Sequence, residues 1–237
     1  VTGTLAATAT TGGITDSSNL SASGNVTLND VATAGITLGT LEADANVILT
    51  AAGNTAITND AALALQGTVT GTLDATATTG DITDSDALAV SGASVFTLGA
   101  DGTNITLDSA ANAFSGAVTL KAGSSGGQTF GNIVFVDSGA IDFDSAASAD
   151  GDLFLDGGTD NTVGGTLAVT ATTGGITDSA TIAVTGDLTL NDVATAGITL
   201  GTLEADANVI ITAAGNTAIT NDAALALQGA VTGTLAA

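Results

Sequence analysis

Arginine, histidine, proline, cysteine, methionine, tryptophan and tyrosine are all missing from this chain, and its single basic side chain is Lys121. Without His or Cys there is no conventional zinc or copper site, no Ser-His or Cys-His nucleophile and no thiol chemistry. One cation cannot neutralise a phosphate backbone, and no Tyr or Trp can stack on bases, so nucleic acid is not an expected partner. Binding to an anionic lipid surface is not expected on the same grounds. No apolar run approaches the ~18 residues that would cross a bilayer, so membrane insertion is not expected either.

What remains is acidic and aliphatic. The 237 residues include 24 Asp and Glu, for a formal net charge of −23, yet the mean hydropathy is +0.48. A disordered acidic chain would have too few apolar residues to bury. This one can build a core, but only from small aliphatic groups.

The dominant signal is internal repetition. Residues 1–75 and 163–237 align without a gap at an offset of 162, with 62 of the 75 positions identical. A shorter block occurs three times, as GTLAATATTGGITDS at 3–17, GTLDATATTGDITDS at 71–85 and GTLAVTATTGGITDS at 165–179. These blocks open modules at 3–70, 71–164 and 165–232, with a next module starting at 233–237. The first seven residues, VTGTLAA, return as the last seven, and the chain starts in mid-pattern at Val1. The expectation is therefore a window on a longer array. A finer period runs through Ile14, Ile36, Ile57, Ile82, Ile105, Phe130, Leu153, Ile176, Ile198 and Ile219, which fall 21 to 25 residues apart. It predicts units of about 23 residues, three in the 68-residue module and four in the 94-residue one.

Each unit divides into short runs separated by Gly, Asn, Asp or Ser, and runs such as NVTL, NITL and DLTL alternate apolar and Thr. Period two means strand, and no helical stripe persists for three turns. The predicted fold is all-β: a parallel β-solenoid of about ten coils with three short strands each, continuous over 1–237. At ~4.8 Å per coil the rod would be roughly 48 Å long. Gly and Asn are expected at the corners, where they tolerate positive φ, and Pro is missing because it would remove a donor from the ladder. A β-sandwich array is the competing architecture, but such domains usually carry a core Trp or Tyr.

The stretches GTLAVTATTGGITDSATIAVTGDLTL at 165–190 and TNITLDSAANAFSGAVTL at 103–120 resemble the repeats of filamentous-haemagglutinin-like exoproteins and related giant bacterial surface adhesins. That resemblance covers essentially the whole chain. It implies a right-handed β-helical shaft and an extracellular or cell-surface location.

Few clusters stand out as candidate sites. The densest acidic run places Asp142, Asp144, Asp150, Asp152, Asp156 and Asp160 among Gly turns, and hard oxygen ligands at short spacing suit calcium. Solvated turns needed for solubility account for the same run, which matches neither the EF-hand loop nor the glycine-rich nonapeptide calcium repeat. The repeated ITDS puts Asp16, Asp84 and Asp178 at a corner, where a carboxylate can cap backbone N–H groups. Paired acids for polysaccharide hydrolysis are the catalytic alternative, without the Arg and large aromatics a sugar cleft uses. All six Phe lie between Phe96 and Phe154, either filling wider coils or forming a lateral contact. Thr-rich runs suggest ice binding only if T-x-T recurs in every coil, and here it recurs once per module. Sequons at Asn19, Asn25 and Asn104 are frequent by chance in so Thr-rich a chain. The expected function is thus structural and non-enzymatic, a stiff acidic shaft whose partners are copies of itself, end to end or side by side. The alternative is an adhesin that meets a cell surface or glycan through the Phe-bearing module.

Overall fold

The computed structural model describes residues 1–122, 129–146, 149, 151–156 and 162–237. Its strands form two sheets in which every neighbour is parallel, so the chain is a β-solenoid. Among the described residues the first sheet has twelve strands, of which eleven stack in sequence order: Leu5–Ala9, Val26–Asp30, Val47–Ala51, Leu63–Val69, Ile82–Val90, Ile105–Leu107, Ile133–Asp137, Leu167–Ala171, Leu188–Asp192, Asn208–Ala213 and Ala226–Val231, while Ala113–Phe114 also pairs with Ile82–Val90. Ten steps of ~4.8 Å separate the first from the last, about 48 Å. The second sheet closes the other side of each coil. Among the described residues no helix is long and apolar enough to cross a membrane.

Coil length is less uniform than the sequence period suggests. The register partners Leu5, Val26, Val47 and Leu65 advance along the sequence by 21, 21 and then 18. Further along, Ile82, Ile105, Ile133 and Leu167 advance by 23, 28 and then 34. The even spacing of the marker residues arises because they do not share a column. Ile14, Ile36, Ile57, Leu153, Ile176, Ile198 and Ile219 belong to the second sheet, whereas Ile82 and Ile105 belong to the first.

The cause is a change of face. In the first and third copies of the repeated block, Leu5–Ala9 and Leu167–Ala171 lie in the first sheet. In the middle copy Leu73–Ala77 lies in the second sheet, between Thr55–Asn59 and Ser94–Leu98. The shorter and longer modules therefore each span three and a half coils rather than three and four. Positions related by the long sequence repeat return to the same face after seven coils, about 34 Å along the axis. Leu-x-Ala-x-Ala buries one side and exposes the other whichever sheet it joins, so the motif itself carries no face label.

Inward positions form aliphatic columns such as Val26–Val47–Leu65, with each member buried. The longer coils have more interior to fill, and there the Phe residues enter. Phe96, Phe114, Phe130, Phe135 and Phe143 are each 3 % exposed or less. Phe114 meets Phe96 edge-on at 5.9 Å and stacks on Phe135 at 5.4 Å, arrangements favoured by the ring quadrupole. The short coils need the opposite device, a close approach of backbones. Gly67, at φ +114°, lies so near the preceding coil that a Cβ would sit 2.0 Å from the Leu49 carbonyl oxygen.

Candidate functional site

The corner groups are built largely from carboxylates and amides that bond to the next coil. Asp16 accepts from the backbone N–H of Gly39 at 3.1 Å, the N–H of Thr40 at 2.8 Å and the Thr40 hydroxyl at 3.0 Å. Asp178 repeats this with Gly201 and Thr202 at 2.8, 2.7 and 2.8 Å. Asp84 accepts from the N–H groups of Asp108 and Ser109 and from the Asn112 side chain. The capping role expected for ITDS is thus observed, but on two corners instead of one, because the Ile82–Asp84 copy runs in the first sheet and the other two in the second. Slight burial pushes the Asp16 carboxyl upward in pKa, and the Gly39 and Thr40 donors outweigh it, leaving the group below its ordinary value.

Asparagine serves the corners through its side chain. Along one edge Asp81 Oδ1 accepts the Asn104 N–H, Asn104 Oδ1 the Asn132 N–H and Asn132 Oδ1 the Thr166 N–H, at 2.8, 2.7 and 2.9 Å. Positive φ, which the sequence suggested for Gly and Asn alike, is recorded at glycines such as Gly35 and Gly197. Asn59 replaces a piece of strand. The preceding coil has a third strand segment, Leu41–Ala43 paired with Leu20–Ala22, and in the short coil beneath the backbone pairing stops at Leu41, which meets Asn59. Instead the fully buried Asn59 side chain accepts from Ala43 N–H at 2.8 Å and donates to the carbonyls of Ala43 at 3.2 Å and Ala62 at 2.7 Å. An amide with one acceptor and two donors imitates a neighbouring peptide, and Asn221 does the same for Ala205.

Of the six aspartates read as calcium candidates, Asp150 and Asp160 lie outside the described residues. The other four have partners of their own. Asp142 accepts from the hydroxyls of Thr177 and Ser179 at 2.9 and 2.6 Å, and Asp144 from Ser145 N–H. Asp152 accepts from Ala149 N–H, and Asp156 pairs with Lys121 at 3.0 Å. Among the described residues no group of three or more acidic side chains is placed to hold a metal ion.

One groove of about 320 Å³, lined by Leu5, Ala7, Ile14, Leu20, Leu28 and Leu38, sits at the first coil, and two smaller ones repeat each other on the wall. The first of these two, about 170 Å³, is lined by Asn19, Thr40, Glu42, Thr58, Asp60 and Thr78. Its counterpart in the later copy of the repeat, about 250 Å³, carries Thr181, Thr202, Glu204, Thr220 and Asp222. Both of the repeated grooves fall below the ~300 Å³ of typical small-molecule sites. Outward threonines align on three coils at Thr58, Thr76 and Thr97 before Lys121 follows in the same column. Phe154, in register with Thr119, is the one Phe on the outer surface.

Residues 52–121 match a family model described as repeats of unknown function (DUF5649). No curated protein and no solved structure matches the chain. The matched stretch crosses from the first module into the second and includes the point where the repeated block changes face.

Proposed function

We propose that this chain is a segment of a stiff, acidic shaft, extracellular or on a bacterial cell surface, whose task is to supply length. The observation that carries the reading is the return of one strand ladder in both copies of the long repeat. Strands Leu5–Ala9, Val26–Asp30 and Val47–Ala51 recur as Leu167–Ala171, Leu188–Asp192 and Asn208–Ala213, with the same partners in the same order. A unit that repeats its ladder without interruption adds rungs, and any groove on it is copied with it.

The polar chemistry supports the same reading, since Asp16, Asp84, Asp178 and Asn59 spend their acceptors on a neighbouring coil. A net charge of −23 keeps such rods apart in solution. The similarity to haemagglutinin-like shafts supports a location outside the cell. The adhesive alternative depends on the Phe-bearing module, and five of its six rings lie in the interior.

The test is to express chains with one, two and three copies of the long repeat and image them by electron microscopy. Each added unit should lengthen the rod by about 34 Å at constant width. Lengths that do not scale, or globular particles, would overturn the shaft. Antibody labelling of intact cells tests the location, and signal only after lysis would reject it.

A further inference from the structure

The interior has two polar corners that the capping scheme does not use. Asp30 and Asp192 point inward at the ends of their strands and are each 1 % exposed. One carboxylate oxygen of each is occupied, because Asp30 Oδ2 accepts from Gly35 N–H and Asp192 Oδ2 from Gly197 N–H, both at 2.8 Å. The other oxygen, Oδ1 in both residues, has no partner in the protein. Thr55 and Thr217, each 2 % exposed, likewise have unpartnered hydroxyls.

These groups fall together in pairs. Thr55 is the register partner of Ile36, the residue next to Gly35, so its hydroxyl lies one rung along from the Asp30 carboxylate at the same corner. Thr217 stands in the same relation to Ile198, Gly197 and Asp192. Other inward polar groups help to define the pattern. Asp137, also at the end of a first-sheet strand, caps Phe114 N–H. Ser94 occupies the Thr55 column and its hydroxyl is also unpartnered, but Val69 and Val90 continue the Asp30 column there, so no carboxylate faces it.

We infer that each corner seats one ordered water, bridging Asp30 Oδ1 to Thr55 Oγ1 in the first copy and Asp192 Oδ1 to Thr217 Oγ1 in the second. Buried polar atoms are almost always satisfied by protein or by trapped water, and a trapped water needs only two to four polar partners. A divalent cation fits poorly, because it asks for about six oxygens and the corner offers a single carboxylate. The water accepts from the threonine hydroxyl and donates to the aspartate, so both carboxylate oxygens have a donor inside the wall. The same arrangement recurs with each long repeat and would punctuate a longer rod at about 34 Å.

The experiment is oxygen-17 magnetic relaxation dispersion on the whole chain, which counts long-lived internal waters. Thr55→Val keeps the shape and removes the hydroxyl, so it should lower the count by one, and Thr55→Val with Thr217→Val by two. Far-UV circular dichroism verifies that both variants are folded, and Ser94→Ala, at a corner without a carboxylate, should leave the count unchanged. An unchanged count in folded Thr55→Val overturns the proposal. So does a crystal structure with Asp30 bonded directly to Thr55. A melting temperature that shifts when potassium replaces sodium at constant ionic strength would assign the corner to an ion instead.

Discussion

Removing the Asn59 amide is the sharpest local perturbation of this wall. Asn59→Ala would leave three backbone groups, Ala43 N–H, Ala43 C=O and Ala62 C=O, without the partners they now have at 2.8, 3.2 and 2.7 Å. The Ala62 carbonyl lies near the surface and can turn to solvent, whereas Ala43 is buried. An unsatisfied buried backbone group costs about 1–3 kcal/mol, and water entering the gap would recover part of that, so the expected loss is about 3 kcal/mol. For a chain of this size, that corresponds to roughly 6–12 °C in melting temperature if unfolding is cooperative. Far-UV circular dichroism is the suitable probe, because the chain has no Trp or Tyr for fluorescence. Native-state hydrogen exchange adds a local readout, since the Ala43 amide should lose protection before its neighbours on the same strand. Asn221→Ala, in the partly buried counterpart near the last coil, should cost less. A loss for Asn59→Ala no larger than that of an ordinary surface substitution, under about 0.5 kcal/mol, with Ala43 still protected, would refute the idea that this side chain completes the sheet.

Other perturbations separate the remaining elements. Phe114→Ala empties a site between Phe96 and Phe135 and should cost about 3–5 kcal/mol, whereas Phe154→Ala on the outer face should cost under about 1 kcal/mol; chemical denaturation measures both. Asp30→Asn keeps an acceptor for Gly35 and removes a buried charge, so its melting temperature should equal or exceed that of the parent, while Asp30→Ala should lower it by leaving Gly35 N–H unpaired. The Asp16 cap favours the ionised carboxylate. Its contribution is therefore full above the ordinary value of 3.8 and lost as pH falls through the lower folded value. The gap in melting temperature between the parent and Asp16→Ala should stay constant from about pH 7 to about pH 5 and close below 3.8. Gly67→Ala would force a Cβ to 2.0 Å from the Leu49 carbonyl, and its melting curve should show a clear loss.

Strands, parallel stacking and the number of coils were legible in the sequence because each depends on a periodicity that survives averaging. Seven coils share one long repeat, so their mean length is fixed whether or not the coils are equal. Individual coil lengths were not legible. Nothing in LDATA at 73–77 as against LAATA at 5–9 states which sheet receives it; the face is set by the short coil before it, which depends on Asn59 standing in for a strand. Capping by the ITDS aspartates could be read, since a short carboxylate beside a turn has few other uses. Asn59 itself was missed. Its signal is an Asn at an inward-facing position of an alternating strand, TAITN, where parity asks for an apolar residue. Asp30 in VTLND carries the same signal. Phe burial was undecidable from FTL and IVFVD, because alternation fixes that a residue lies on one face without saying which face is inside.

In a β-solenoid, distance along the chain converts to height at a fixed rise per coil. Since the chain has no cysteine, pairs of introduced cysteines can be spin-labelled without background, and pulsed dipolar spectroscopy reads the separations directly. Thr8 and Thr170 face outward on the first sheet seven rungs apart, and Asn191 and Thr212 continue the column. The backbone separations from position 8 to positions 170, 191 and 212 should be about 34, 38 and 43 Å, rising by ~4.8 Å per rung. Separations that fail to increase in that order, or that cluster near one value as in packed globular domains, would contradict the solenoid and the shaft built on it.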